Sequence, residues 1–140
     1  MPPIFVDTGG WLALLRRDDR MHERARRFYG RLVADGARLL TTNYVVDETA
    51  TRLRYDAGLP AALAFHAALD RSTAGGSLRI AWIDPKLERE GWDLFERHAD
   101  VTLSLTDAVS AVVAGRAKIR QVFGFDADFR ALGFDVQPST

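Results

Sequence analysis

Short apolar segments rich in β-forming residues alternate with longer segments of helical periodicity along this chain. The apolar segments predict strands at residues 4–6, 38–41, 78–83 and 122–125. The periodic segments predict helices at residues 8–17, 22–35, 43–57, 60–70, from 84 onward, and 103–117. This alternation is typical of an α/β domain, so we predict a mainly parallel β-sheet sandwiched by α-helices.

Residues that start and stop helices support these boundaries. Asn43 is expected to cap the third helix, and Gly58 to end it shortly before Pro60 opens the fourth. Asp84 and Pro85 are expected to open the following helix as its cap and its first residue. The sequence predicts no regular element after residue 125.

Length and composition favour a single domain spanning residues 1–140. Hydrophobic side chains make up 47% of the chain and charged ones 27%, which suits one compact core. No apolar segment approaches the roughly 20 residues needed to cross a bilayer. Asp7 interrupts the first apolar segment, which therefore does not read as a signal peptide. We expect a cytoplasmic protein with no membrane contact.

The formal net charge is zero, which argues against a strongly basic nucleic-acid-binding protein. Arginine nevertheless supplies 17 of the 19 basic residues, and eight of these arginines lie in residues 16–38 beside only four acids. Guanidinium groups suit phosphate geometry, but a run of charge is as readily a solvated helix face. The charge pattern leaves both interpretations open.

Two predicted strands lead into a carboxylate: Asp7 follows the first strand and Asp126 follows the last. In open α/β sheets the ligand crevice lies beyond the carboxyl ends of the strands. If both strands are parallel and central, both carboxylates face that crevice. Taken singly, each aspartate fits ordinary turn chemistry better, because Asp commonly follows a strand.

Asp107 is the only charge in the segment 103–114, which is otherwise apolar or small. A helix that is apolar on nearly every face is normally buried, so its first turn would carry this carboxylate to the edge of the core. Helix capping is the alternative, since Asp is favourable in a first turn. Ser104 or Thr106 could provide the cap instead, which would leave Asp107 free.

Glu48 lies on the predicted helix 43–57, outside the apolar stripe expected to face the core. It falls on the side of Tyr44 and Arg52. By itself it is better explained by an exposed pair with Arg52 four residues on, which contributes roughly 0.2–0.5 kcal/mol.

Together these four carboxylates carry more weight than any one of them. Several acids at the ends of elements suit hard cations such as Mg²⁺ or Mn²⁺. The chain has no cysteine, and its three histidines are scattered without ligand spacing. Carboxylates held close together repel one another, and divalent cations relieve that repulsion. Such a site can activate water for phosphodiester cleavage without a side-chain nucleophile.

Four segments resemble, in order and spacing, the PIN-domain ribonucleases, and within them the VapC-type toxins of bacterial toxin–antitoxin pairs. The segments are FVDTGGW at residues 5–11, TTNYVVDE at 41–48, LTDA at 105–108 and VFGFDADF at 122–129. The similarity spans essentially the whole chain. It implies one PIN-like domain with a parallel sheet sandwiched by helices, and Mg²⁺- or Mn²⁺-dependent hydrolysis of RNA.

The resemblance also implies roles for individual residues. The catalytic, metal-binding acids would be Asp7, Glu48, Asp107 and Asp126. Asp128 matches a position that is acidic in only some members, and it is assigned an auxiliary role. Thr8 and Thr106 lie beside the acids and would orient them or a metal-bound water.

Family members are usually homodimers that a small antitoxin protein holds inactive. The resemblance therefore implies three partners: an RNA substrate, a cognate antitoxin and a second copy of the chain. Trp11, Leu15 and the arginine-rich second helix are expected antitoxin contacts. The chain departs from the family at Gly9-Gly10, where a small polar residue often follows Asp-Thr. Two glycines here are expected to loosen the segment.

Other functions fit less well. Residues 7–9 match the aspartic-protease triplet, but that enzyme needs two such carboxylates in an all-β fold, and residues 11–17 continue as a helix. A phosphatase would favour a second Asp at position 9, and Lys118 is in the wrong context for a receiver domain. A non-catalytic PIN-like module that binds RNA or protein stays open, although it would need no set of four acids. Trp82 and Trp92 are expected in the core or at an interface.

Overall fold

The structure, a computed structural model, describes residues 2–139. Its strands are β1 (Ile4–Val6), β2 (Leu39–Thr42), β3 (Leu78–Ala81), β4 (Gln121–Phe123) and β5 (Asp135–Gln137). Its helices are α1 (Thr8–Leu15), α2 (His22–Ala34), α3 (Asn43–Ala57), α4 (Leu59–Ala74), α5 (Pro85–Arg97), α6 (Leu105–Arg116) and α7 (Asp128–Ala131). The predicted α/β class is confirmed.

The five strands form one sheet in the order β3-β2-β1-β4-β5, and every neighbouring pair is parallel. Strand β1 lies in the centre, where Phe5 pairs with Leu40 on one side and with Val122 on the other. Because all strands run the same way, their carboxyl ends meet at one edge of the sheet. We call this edge the carboxyl edge; β1 reaches it at Asp7.

The core lies around the central strands. Phe5, Val6, Val122 and Phe123 are fully buried, as expected for a parallel sheet covered on both faces. Helix α6 buries residues on most of its faces, as its nearly uncharged sequence predicts. None of the helices in residues 2–139 is long and apolar enough to cross a membrane.

Gly9 and Gly10 lie inside helix α1, so the prediction that they loosen this segment is wrong. A Cβ atom built on Gly10 would lie 2.4 Å from the carbonyl oxygen of Phe123 in β4. Real Cβ atoms do not approach backbone that closely. The missing side chain therefore allows α1 to pack directly against β4, which fixes the segment that follows Asp7.

Several predicted boundaries shift by a few residues. Thr42, and not Asn43, caps helix α3 by accepting a hydrogen bond from the backbone N–H of Val45 (3.1 Å). Asn43 instead accepts one from the N–H of Ile83 (2.8 Å), and so ties α3 to the segment after β3. Helix α1 ends at residue 15, α4 continues to residue 74, and β3 and β4 end two residues earlier than predicted.

Two elements were missed, and the three tryptophans lie in different environments. Helix α7 and strand β5 have few apolar residues, so they give little periodic signal. Trp82 is 74% exposed and Trp92 is 50% exposed, so neither lies in the core. Trp11 is buried, with its indole N–H directed at the hydroxyl of Thr41 (3.4 Å), and it offers little surface to an antitoxin.

Candidate active site

The four predicted acids come from four separate elements at the carboxyl edge. Asp7 directly follows β1 and precedes α1, and Asp126 lies in the loop between β4 and α7. Glu48 lies in the second turn of α3, and Asp107 is the third residue of α6. The backbone N–H of Asp7 donates to the carbonyl of Phe123 (3.0 Å), which joins β1 to the β4 segment leading to Asp126.

Asp7 is the most strongly perturbed of these acids. The residue is only 4% exposed, and its Oδ1 atom has no hydrogen-bond partner among residues 2–139. The pKa of the carboxyl group is raised to about 7, first by burial and then by the negative charges of Asp107, Glu48 and Asp126, while the backbone N–H of Thr8 opposes the shift. The three other acids therefore lie close enough to Asp7 for their charges to act on it.

A glycine makes room for the Asp7 side chain. A Cβ atom built on Gly124 would lie 3.3 Å from the Cβ of Asp7 and 3.5 Å from its Oδ2. Any side chain at position 124 would crowd the carboxylate. Sequence reasoning missed this residue, because nothing in the segment VFGFD distinguishes a spacing glycine from a turn glycine.

Asp107 takes part in a capping box at the start of α6. Ser104 caps the helix by accepting from the N–H of Asp107 (3.0 Å), and the Oδ2 of Asp107 accepts from the N–H of Ser104 (3.1 Å). Capping was the alternative to a functional role, and the structure shows that Asp107 does take part in the cap, but through only one of its two carboxylate oxygens. One oxygen closes the box, and the other stays available to the site.

Electrostatics link Asp107 to the same cluster. Partial burial raises the pKa of its carboxyl group, as do the charges of Asp126 and Glu48, while the hydrogen bonds from Ser104 lower it. Asp107 thus responds to the same neighbours as Asp7. The structure brings all four predicted acids together.

Removing the Ser104 hydroxyl tests the coupling between cap and site. The substitution Ser104→Ala is expected to destabilise the fold by about 1 kcal/mol, the usual cost of losing a cap. It should also lower the RNA cleavage that the sequence resemblance implies, because a first turn of α6 without its cap holds the backbone N–H at position 104, and with it the Asp107 carboxylate, less firmly. Urea unfolding and cleavage rates measure the two effects. Ser104→Thr, which keeps the hydroxyl, serves as the control. Equal cleavage by Ser104→Ala and the wild-type protein would contradict the coupling.

Glu48 does not form the ion pair with Arg52 that would have accounted for it as an ordinary surface residue. No Glu48–Arg52 contact within 4.0 Å is found in the described part of the chain. Val45, Thr49 and Leu53 form the buried stripe of α3, as predicted, and Glu48 is half-buried beside it. Its carboxylate is left to face the other acids.

Asp126 and Asp128 are organised by a local turn. The Oδ1 atom of Asp126 accepts a hydrogen bond from the backbone N–H of Asp128 (2.9 Å), which fixes one carboxylate oxygen and leaves the other free. Asp128 is the first residue of the short helix α7 and is half-buried. Its auxiliary role stays a prediction.

The two predicted threonines lie next to the acids in different environments. Thr8 is buried, and its hydroxyl has no hydrogen-bond partner, which is costly without a ligand or water. Thr106 is half-buried and lines a cavity shared with Glu48. Both are placed to contact something bound at the cluster.

The donor set fits a hard divalent cation. A buried carboxylate oxygen without a partner, a buried hydroxyl without a partner and three further carboxylates are oxygen ligands of the kind that Mg²⁺ and Mn²⁺ prefer. Across residues 2–139, however, no three Asp, Glu or His side chains lie close enough to form a complete site as they stand.

Comparison with known proteins agrees with this fold. A family model described as PIN domain matches residues 4–135, which is nearly the whole chain. The chain therefore belongs to the PIN-domain family, and the resemblance predicted from the sequence is confirmed.

Individual proteins similar to this chain include a ribonuclease of known structure. The 23S rRNA-specific endonuclease VapC20 of Mycobacterium tuberculosis is 35% identical over 136 residues, which cover 96% of this chain and 98% of VapC20. A crystal structure of VapC20, described as a sarcin–ricin loop cleaving toxin, matches with a TM-score of 0.83 over 94% of this chain and 96% of that one, at 36% identity. A VapC ribonuclease of Archaeoglobus fulgidus is 36% identical over 93 residues, covering 66% of this chain and 56% of that protein.

Proposed function

We propose that this protein is a metal-dependent endoribonuclease and the toxin of a toxin–antitoxin pair. One observation carries the catalytic part: the buried carboxylate of Asp7 has an oxygen without a partner and lies among three other acids. A protein gains nothing in stability from such a cluster, because burial and repulsion both oppose ionisation. Binding of a catalytic cation explains why the acid cluster is present.

The acids take different parts in this proposal. Asp7 and Asp126 hold the cation with help from Asp107, and Glu48 contacts it or orients the attacking water. A bound Mg²⁺ or Mn²⁺ lowers the pKa of a water molecule and stabilises charge on the phosphate. Thr8 and Thr106 orient the carboxylates or the water, with Asp128 as an auxiliary acid. Arginine side chains at the rim neutralise the RNA backbone.

Water as the nucleophile determines the product ends. The water oxygen forms a bond to phosphorus in line with the 3′-oxygen, and the bond from phosphorus to that 3′-oxygen breaks. The RNA 2′-hydroxyl takes no part. The products should therefore carry 5′-phosphate and 3′-hydroxyl ends. Products with 2′,3′-cyclic phosphates would rule out this mechanism even if the protein cuts RNA.

The biological role is proposed from the relatives. VapC20 is described as a toxin and matches over nearly its whole length, which supports the same role here. We further propose that a cognate antitoxin protein inhibits the enzyme, that the chain forms a homodimer, and that it acts in the cytoplasm. Co-expression with a candidate antitoxin, followed by co-purification, tests this inhibition.

A non-catalytic module that binds RNA or protein is the second candidate. The observation in its favour is that, in the chain from Pro2 to Ser139, the acids do not form a finished metal site. A module of this kind would fold and bind RNA equally well with and without divalent ions.

Metal dependence separates the two candidates. We expect purified protein to cut RNA in Mg²⁺ or Mn²⁺ and to lose that activity in excess EDTA. The panel should include 23S rRNA, because VapC20 is specific for it, together with transfer and messenger RNAs. The metals should also raise the Tm of the protein, since an ion that binds only the folded state stabilises it. A protein that binds RNA, but binds no divalent metal and cuts no RNA, would support the non-catalytic module instead.

A further inference from the structure

A cavity of about 450 Å³ opens beside the acid cluster. Five of its lining residues share one face of α3, at the spacing of successive helical turns: Tyr44, Asp47, Glu48, Thr51 and Arg52. The sixth is Thr106 in the first turn of α6, adjacent to Asp107. Because Glu48 is one of the four acids and Thr106 is adjacent to Asp107, the cavity is contiguous with the acid cluster.

Tyr44 gives this cavity an aromatic wall held in place. Its hydroxyl donates a hydrogen bond to a carboxylate oxygen of Glu88 on α5, and that bond raises the pKa of the phenol. The residue is half-buried and lines the cavity, so part of its side chain is open to a molecule bound there. A ring anchored at both its backbone and its hydroxyl loses little freedom when another flat group stacks on it.

The polar groups around Tyr44 have no protein partners. Arg52 is exposed and forms no ion pair within 4.0 Å with any described residue. The hydroxyls of Thr51 and Thr106 likewise take part in no hydrogen bond found across the range 2–139. Asp47 is exposed, and its carboxylate can accept hydrogen bonds from exocyclic amines of bases. The cavity thus offers a stacking face, a cation for phosphate and free polar groups for a base edge.

We propose that this cavity holds one unpaired nucleotide of the RNA, next to the bond that is cut. The proposal rests on the ribonuclease function above and adds to it a subsite for the substrate. The base stacks on Tyr44, and Arg52 pairs with a phosphate of the same strand. A base inside a duplex is already stacked on both faces and cannot enter. Tyr44 and Arg52 are therefore assigned as substrate-binding residues that hold a single-stranded segment of the RNA beside the acid cluster.

Direct binding tests the subsite without relying on cleavage. The parent is the Asp7→Asn protein in EDTA, and the probe is a short fluorescent single-stranded RNA that contains all four bases. Adding Tyr44→Ala is expected to raise the Kd about tenfold or more, which corresponds to about 1.4 kcal/mol of stacking. Tyr44→Phe keeps the ring and should bind like the parent. Tyr55→Ala is the matched control, because Tyr55 is on the same helix but 82% exposed and outside the cavity.

The comparison with duplex RNA completes the test. The same probe annealed to its complement should bind more weakly, and Tyr44→Ala should not weaken it further. Equal Kd values for the parent and Tyr44→Ala, or equal losses in Tyr44→Ala and Tyr55→Ala, would overturn the subsite. Circular dichroism of each variant confirms that its fold is intact.

Cleavage kinetics separate failure of the subsite from failure of the proposed function. In the protein with Asp7 intact, Tyr44→Ala should raise the KM for a cleaved RNA much more than it lowers kcat. Cleavage with an unchanged KM would overturn the subsite and leave the ribonuclease standing. Binding that depends on Tyr44, in a protein that cuts no RNA in metal, would support the subsite and overturn the ribonuclease.

Discussion

The substitution Asp7→Asn is expected to lower RNA cleavage by about 10³-fold or more, on the scale of other losses of a central catalytic group. It removes the negative charge that a cation would require at the most buried position of the cluster. Asparagine keeps the size of the side chain, so the fold should survive. Cleavage rates in Mg²⁺ measure the effect. Asp100→Asn is the control, because Asp100 is exposed and its charge is not among those that shift the pKa of Asp7 or of Asp107.

The same substitution should stabilise the metal-free protein. The pKa of Asp7 rises from 3.8 to about 7 on folding. Below about pH 4 the carboxyl group is protonated in both the folded and the unfolded state, so it does not lower the free energy of unfolding. As the pH rises towards 7, the unfolded chain ionises first, so the folded state loses stability, on the order of 4 kcal/mol in total. Above pH 7 the loss stays constant.

Thermal unfolding in EDTA at several pH values checks this sign. The Tm of the Asp7→Asn protein should exceed that of the wild-type protein at pH 8, and the two Tm values should converge near pH 4. Divalent ions should reduce the difference at pH 8 by stabilising only the wild-type protein. A wild-type Tm that equals that of Asp7→Asn at pH 8 in EDTA would show that the buried charge has no cost.

The substitution Gly10→Ala is expected to destabilise the fold by about 3 kcal/mol or more, or to prevent folding, at the upper end of overpacking effects. Its Cβ would lie 2.4 Å from the carbonyl oxygen of Phe123, and backbone in a central strand cannot move aside cheaply. Helix α1 would have to separate from β4, which would also displace Asp7. Urea unfolding measures the loss.

Gly9→Ala is the matched control for this prediction. A Cβ on Gly9 would meet its nearest neighbour, the backbone nitrogen of Phe125, at 3.7 Å, which is ordinary contact. In a helix this exchange should stabilise by roughly 0.5–1 kcal/mol, because alanine loses less backbone entropy on folding. Similar unfolding free energies for the two variants would contradict the proposed contact between α1 and β4.

The sequence predicted the strands and helices that carry strong periodic signals, and it failed where the signal is weak. Strands β1 and β2 are buried on both faces, and their apolar, β-branched composition made their positions clear. Strand β5 has only Val136 buried and lies at the edge of the sheet, where polar residues are tolerated. Its pairing with β4 is a tertiary effect, and local composition does not encode it.

The acids of the site could be predicted, but their environments could not. Asp7 and Asp126 follow from strand ends, and Asp107 from its isolation in an apolar segment. The absence of a side chain at Gly124 leaves space beside Asp7. The carboxylate of Glu48 is not held by Arg52, because no ion pair between them forms within the described residues. Both depend on distances between elements far apart in sequence. For the same reason the sequence could not show that Trp82 is exposed.

The central position of β1 has a consequence for the time at which this protein can become active. Strand β1 is flanked by β2 on one side and by β4 on the other, and Asp7 and Asp126 meet only after β4 has paired with it. A ribosome that has made α1 to α6 has released an incomplete sheet with three of the four acids. Synthesis proceeds at about 5–20 residues per second, so assembly of the cluster waits for nearly the last segment of the chain. The proposed catalytic site is therefore incomplete in any polypeptide that ends before β4.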